Sequence, residues 1–426
     1  MNKIVLSFIG LIFCGVISNG CSQTVPPVKH RIIVSTDIGG TDFDDYQSMA
    51  HLLLYADTLD IEGIISSPFG NGRVSHILEC VDAYEKDYPN LKAASKDYPS
   101  PDAIRAIVKQ GATEIVNTRG YDKPTEGSNW IVTCARREDS RPLNVLIWGG
   151  IEDLAQALHD APDILPKLRV HFIGGPNKKW SVNAYHYIAC NFPELWIIES
   201  NASYRGWFVG GNQSGNWGNE SFVEKYIKDV GALGSYFYSK GTHMKMGDTP
   251  TLTYWLNGDP EDPTSPSWGG QYVRAWERQH KVFNRLTSVT DSIEEFAVLE
   301  LLLPAENMPE NSFALMHIEN QSIKAEIKEN QVRFLFSPKR SGNWTYNLES
   351  NIAGINGLEG ELVSYPTPAE NGNKPSANYP NWWADNPAPE YKEQGHIGIK
   401  TVNRWREEFL GDFARRMKRC VPKNKQ

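Results

Sequence analysis

Asp37, Asp42, Asp44 and Asp45 crowd around the glycine pair Gly39-Gly40. Carboxylates this close repel one another and raise each other's pKa unless a cation offsets the charge. A donor set made only of oxygens suits a hard cation such as Ca²⁺. A strand-like run, residues 30–34, leads into the loop, and a helical pattern follows at once over 46–55. In an open α/β sheet, ligands bind at the carboxyl ends of the strands. The same residues also fit a plain acidic turn in which Asp44 or Asp45 caps the next helix. The rest of the chain favours the first reading.

With that run, taken as 31–35, the strand-like runs cover 31–35, 61–66, 144–148, 169–173 and 195–199, with amphipathic stretches at 75–88, 101–109, 127–137 and 151–158 between them. Alternating β and α units with near-continuous apolar strands predict an α/β fold, a mostly parallel sheet flanked by helices. Two of the runs end in glycine pairs, Gly149-Gly150 and Gly174-Gly175. Glycine there lets the backbone turn or approach a ligand closely, so three special loops meet at one edge of the sheet. Glu152 and Asp153 follow at a helix start, where acidic residues complement the dipole, and carry no catalytic role.

The α/β domain is read as residues 30–287. Short strand patterns at 296–303, 312–317, 323–327, 332–336 and 344–348 make 288–367 a small all-β, sandwich-like module, inserted into the larger domain. Residues 368–400 read as a Pro- and Asn-rich loop; its Trp382-Trp383 is either a sugar platform or packing beneath the linker. Apolar residues Val402, Trp405, Phe409, Phe413 and Met417 recur at helical spacing over 401–419, a helix that docks back on the α/β domain.

A chain of 426 residues suggests two or three domains. Its net charge of −8 argues against a nucleic-acid or anionic-membrane surface. Thirteen tryptophans and eighteen tyrosines lean mildly towards carbohydrate, since aromatic faces stack on sugar rings. Lys3, the apolar run 4–17 and the approach Ser18-Asn19-Gly20-Cys21 read as an export signal over 1–21. It is similar to a bacterial lipoprotein signal, in which Cys21 takes the lipid that anchors the protein to an envelope membrane. Cys80, Cys134, Cys190 and Cys420 are widely spaced with no CxxC, which suggests neither a zinc site nor a redox motif and leaves disulfides and free thiols both open.

The motifs carry a family resemblance. Ser35-Thr36-Asp37-x-Gly39 with Asp44-Asp45 resembles the N-terminal calcium motif of nucleoside hydrolases, normally Asp-x-Asp-x-Gly-x-Asp-Asp. Trp148-Gly149-Gly150 and Phe172-Ile173-Gly174-Gly175 resemble that family's later strand ends, and Gly247-Asp248-Thr249-Pro250 its last metal aspartate. Trp268-Gly269-Gly270-Gln271-Tyr272 and Arg404-Trp405-Arg406 are similar to segments of the exported, nucleoside-hydrolase-like bacterial proteins often labelled cellulose-binding.

By that resemblance Asp37 is a calcium ligand and the general base on the attacking water. Asp45 and Asp248 are further ligands, completed by a backbone carbonyl near Pro176 or Asn177. Asp44, helped by Asn183, holds a sugar hydroxyl, and Trp180, Trp207 and Trp217 are candidate stacking walls. Three departures stand out. Ser35 replaces the first aspartate, the loop from Asp37 to Asp44 is three residues longer, and Gly247 stands where many relatives have a histidine; His243, Lys245 and His186 are the nearby alternatives. The expectation is an exported, calcium-dependent hydrolase of a glycosidic bond in a saccharide or related glycoside. A non-catalytic carbohydrate-binding lipoprotein and a ribonucleoside hydrolase are the alternatives, and a homo-oligomer is left open.

Overall fold

The computed structural model describes residues 29–425 except 41, 68–69, 116, 278–279, 307 and 368–373. The export signal, with Cys14 and Cys21, lies outside the described residues. The five apolar runs become strands β1 (Arg31–Thr36), β2 (Asp60–Ser66), β4 (Leu143–Ile147), β5 (Leu168–Ile173) and β6 (Trp196–Ser200), and a short strand not expected from the sequence, β3 (Val108–Gln110), joins them at the end of the stretch read as amphipathic over 101–109. They line up in the order β3-β2-β1-β4-β5-β6 and pair in parallel throughout. Every residue of β1 is buried, as expected for a strand covered by helices on both faces. Two separate apolar layers, one around Leu52, Ile77 and Phe413 and the other around Ile131, Leu154 and Ile188, provide that cover. The strand order reverses between β1 and β4, so the crevice of this sheet opens at their carboxyl ends.

Two strands complete the sheet, and both were illegible as strands. Trp382–Asp385 pairs in parallel with β6, and Tyr272–Arg274 closes the edge antiparallel to it. The first falls inside the stretch read as a loop. Its Trp382 is fully buried against Tyr185 and Tyr379, so it is core and not a sugar platform. Four residues between Pro- and Asn-rich flanks show too little pattern to signal a strand.

Between these two strands the chain builds two further sheets. One has the order Glu326–Lys328, Gln331–Phe336, Val298–Pro304, His280–Phe283; the other runs Gln321–Lys324, Ala314–Ile318, Gly342–Ser350, Glu359–Tyr365, Ser292–Glu294. They share a core of Leu299, Leu301, Phe334, Trp344 and Leu362. Gly342–Ser350 alternates buried and exposed along its length, the period of a strand with one wet face. This β module already begins at His280, because that strand pairs with Val298–Pro304.

The module grips the helix Gly175–Trp180, which follows β5. Lys178, fully buried, ion-pairs with Glu199 and donates to the Phe296 carbonyl at 3.0 Å. Lys179 Nζ reaches Asn320 Oδ1 at 2.9 Å, and Gln321 Nε2 donates to the Lys179 carbonyl at 3.0 Å.

At the C-terminus the pattern over 401–419 forms two α-helices, Ile399–Asn403 and Arg406–Met417, and a closing turn. Phe409 stacks on Trp207 at 3.7 Å, and the buried Arg406 guanidinium donates to the carbonyls of Trp207 and Trp217 at 2.7 and 2.8 Å. Trp207 is therefore a packing residue of this dock. Cys80, Cys134, Cys190 and Cys420 are all free thiols, and only Cys190 of the four is exposed. Among the described residues no helix is long and apolar enough to cross a membrane.

Candidate functional site

The carboxyl ends of β1, β4 and β5 and the segment before Asp248 enclose a cavity of about 190 Å³. Asp37, Asp42, Asp44, Asp45 and Asp248 line it together with Trp148, Ile173, Pro176, Asn177, Trp180, Tyr204, Arg205, Phe208 and Lys245. Carboxylate oxygens of Asp44, Asp45 and Asp248 lie within 4.8 Å of one another. The Asp37 carboxyl sits within hydrogen-bonding reach of Asp45.

Local sequence explains this convergence. Helix α1 (Asp44–Leu54) starts after Phe43 with no side-chain cap, so Asp44 and Asp45 do not spend their oxygens on the helix end. Thr36 donates its hydroxyl to Asp45, fixing that carboxylate against β1. Gly149 must be a glycine: a Cβ there would stand 2.6 Å from the Asp37 Cβ and 3.0 Å from its backbone nitrogen. Gly149→Ala is therefore expected to cost about 1–3 kcal/mol by overpacking, and to shift Asp37. A melting curve and a Ca²⁺ titration check both effects; wild-type values for both would remove Gly149 from this account.

Gly247 is required in the same way. A Cβ there would meet Asp44 Oδ2 at 2.6 Å, with the Tyr204 ring 3.5 Å away. Asp44 and Tyr204 therefore fill the space that a side chain at position 247 would enter. Tyr204 is carried by the turn after β6, and Asp385 holds that turn: its carboxylate accepts the backbone N–H groups of Asn201, Ala202 and Ser203 at 2.9, 2.7 and 3.2 Å. The strand hidden in the presumed loop thus positions one wall of the site.

Burial dominates the electrostatics. It pushes the Asp37 carboxyl up to about 7, opposed by the Asp45 hydrogen bond and reinforced by the charges of Asp44 and Asp42. Asp44, Asp45 and Asp248 are raised well above their ordinary carboxylate value by burial first and then by neighbouring acids: Asp42 and Asp45 act on Asp44, Asp37 on Asp45, and Asp45 and Asp44 on Asp248. Asp42 differs. Burial raises it, but hydrogen bonds with Asp44 and Lys245 outweigh that and leave it lowered. Exposed and salt-bridged to Lys245, it stands apart from Asp44, Asp45 and Asp248.

These residues fit a hard divalent cation. The donors are oxygens throughout, three buried acids (Asp37, Asp45 and Asp248) and the half-buried Asp44 face one cavity, and Asp248 Oδ2 is buried with no hydrogen-bond partner. Asp44, Asp45 and Asp248 would hold such an ion, with Asp37 beside Asp45 and Pro176 on the rim.

Of the residues expected from the sequence, Asp37, Asp44, Asp45, Asp248, Pro176 and Trp180 all line the pocket. Asn183 does not. Its carbonyl lies 2.5 Å from where a Cβ of Gly120 would stand, and Asn177 takes the pocket position, donating to the carbonyls of Trp148 and Ile173 at 3.1 Å. Ser35 is buried but is not part of the lining. Tyr204, Arg205 and Phe208 had no motif to announce them. Their one signal is position, just past the carboxyl end of β6. Glu152 and Asp153 brace loops: Ser181 donates to Glu152 at 2.8 Å and Thr125 to Asp153 at 2.5 Å.

Residues 31–272 match the family described as cellulose-binding Sde182, nucleoside hydrolase-like domain. The chain belongs to this family. Among solved structures it is similar to a nucleoside hydrolase-related protein from Saccharophagus degradans described as associated with carbohydrate metabolism. That likeness has 19% identity and a TM-score of 0.51, and covers 80% of this chain and 100% of that one. A plant nucleoside hydrolase, PpNRh1, is 14% identical over 59% of this chain and 84% of its own, at a TM-score of 0.37. An inosine-uridine preferring nucleoside hydrolase from Bacillus anthracis is 15% identical over 59% and 87%, at 0.35. No curated protein matches the chain. The fold is thus nucleoside-hydrolase-like, a large mostly parallel sheet flanked by helices, with two additional sheets in the β module.

Proposed function

We propose that this chain is an exported hydrolase, anchored by lipid at Cys21, that uses Ca²⁺ to cleave a glycosidic bond in a saccharide or related glycoside. The observation that carries the reading is the convergence of Asp44, Asp45 and Asp248 with Asp37 in one aromatic-walled pocket. A bound Ca²⁺ supplies Lewis acidity and lowers the pKa of water. Asp37 takes a proton from the attacking water as that water adds to the anomeric carbon. Asp44 accepts a hydrogen bond from a sugar hydroxyl, holding the ring while its transition state gains oxocarbenium character. Trp180 and Phe208 give the sugar apolar faces to stack on.

Tyr204 takes the part of donor to the leaving oxygen. Its phenol, pushed up to about 12 chiefly by burial, stays protonated at neutral pH. Tyr204→Phe is expected to lower kcat about 10²-fold with little change in KM, and to restore some activity on substrates whose leaving group needs no proton. Equal losses on all leaving groups would assign Tyr204 to packing alone.

A second reading, carbohydrate binding without turnover, is supported by Gly247 and Ser35, which depart from the catalytic pattern. Incubation with aryl glycosides, oligosaccharides and nucleosides, in Ca²⁺ and in chelator, separates the two. Calcium-dependent product release supports the hydrolase, and saccharide binding without product supports the binder. Release from nucleosides alone would favour the ribonucleoside reading.

A further inference from the structure

A second group of metal-type donors lies outside the acidic pocket, at the seam between the α/β domain and the β module. His186 and Cys190 are four residues apart on the helix Val182–Asn191 and so share one face. His280 and Glu300 come from adjacent parallel strands of the module. His280 is opposite Val298, two residues before Glu300, so both side chains project from the same side of that sheet. The helix and the two strands are remote in sequence; strand pairing joins His280 to Glu300, and the packing of helix on module brings His186 and Cys190 to them.

We propose that His186, His280 and Glu300, with Cys190 as a fourth donor, form a zinc-type site that rivets the β module to the α/β domain. The donor atoms of His186, His280 and Glu300 lie within 4.8 Å of one another. The two imidazole rings are 4.5 Å apart, and His280 Nε2 is 2.6 Å from Glu300 Oε2. Cys190 Sγ is 3.6 Å from His186 Nε2. Two ligands of a tetrahedral zinc, each 2.0–2.3 Å from the metal, stand about 3.4–3.6 Å apart. The Cys190–His186 spacing already has that value, and the His280–Glu300 pair reaches it by opening less than an ångström or so.

The chemistry of the set points the same way. Two imidazoles, a thiol and one carboxylate match a borderline-soft ion and not Ca²⁺, which takes oxygens. Glu300 is also oriented as a ligand should be: Arg333 Nε holds its other oxygen, Oε1, at 2.5 Å, and Glu326 holds Arg333 in turn at 3.2 Å. A plain His280–Glu300–Arg333 ion network accounts for those three residues. It does not account for His186 and Cys190 turning the same way from the opposite wall. The same seam encloses a cavity of about 60 Å³ lined by His186, Cys190 and His280.

The test uses the full chain, stripped with chelator and then saturated with Ca²⁺ so that the acidic pocket is occupied. Titration with Zn²⁺ is expected to show one tight equivalent, and Co²⁺ in its place to give the absorption of a tetrahedral site with a thiolate charge-transfer band. Cys190→Ser should remove that band while leaving binding; the exposed position makes this variant safe for folding. His280→Gln should weaken Zn²⁺ binding beyond the roughly 10–100-fold typical of outer-shell changes, with an unchanged melting curve in chelator. No tight Zn²⁺ equivalent, an octahedral Co²⁺ spectrum, or affinity indifferent to both substitutions would overturn the proposal. The outcome is independent of whether the acidic pocket is catalytic.

Discussion

Asp37→Asn is expected to cut kcat by about 10²–10⁴, the contribution of a positioned general base, while Ca²⁺ still binds. The asymmetry comes from where the four acids sit. Asp44, Asp45 and Asp248 have oxygens within 4.8 Å of one another, whereas Asp37 joins the group only through its neighbour Asp45. It also follows directly on the fully buried β1 and packs against Gly149. A base must hold its geometry more tightly than a ligand, because a small misplacement costs rate far more than it costs affinity. Asparagine keeps the shape and loses the proton acceptor. Asp248→Asn should do the reverse, lowering Ca²⁺ affinity first and turnover as a consequence, so that excess Ca²⁺ rescues it in part. Calorimetric Ca²⁺ titration beside steady-state kinetics distinguishes the pair. Unchanged kcat in Asp37→Asn would remove Asp37 from the chemistry, and equal loss of Ca²⁺ in both variants would make it an ordinary ligand.

What the sequence made legible was set by local pattern. The five long apolar strands and the acid-bearing loops were readable because each is continuous and ends in unusual residues. Asp37, Asp44, Asp45 and Asp248 were found for that reason. Tyr204 was not, since its place depends on Asp385, 181 positions away and on a strand of only four residues. Asn183 was assigned through the family resemblance, but the helix Gly175–Trp180 puts Asn177 on the pocket and carries Asn183 onward to Gly120. The seam donors show the same limit: residues 186, 190, 280 and 300 form no motif, and cysteine spacing alone argued against a zinc site. Strand content follows from short-range periodicity, whereas a site assembled by crossovers is visible only once the topology is known.

Ca²⁺ is expected to stabilise the protein more at pH 8 than at pH 5.5, and chelator to destabilise it most at the higher pH. Asp37 is raised to about 7 in the folded chain, and Asp44, Asp45 and Asp248 are raised well above their ordinary value. In the unfolded chain these groups titrate near 4. Between those limits the folded state holds more protons than the unfolded one, so without a cation stability falls as pH rises from about 4 through 7 and beyond. Protons offset the clustered charge at low pH, and Ca²⁺ takes over that role at high pH by displacing them. Its apparent affinity should therefore weaken by about tenfold per pH unit for each proton displaced. At 100 times its Kd the ion adds about 2.7 kcal/mol, which for a chain of this size raises the melting point by about 3 °C. Scanning calorimetry at pH 5.5 and 8, with Ca²⁺ and with chelator, reads all four states. Asp45→Asn removes one of the repelling charges and a ligand together. It should flatten the chelator curve against pH and abolish the calcium shift, whereas an acidic cluster with no cation role would flatten the first and have no calcium shift to lose.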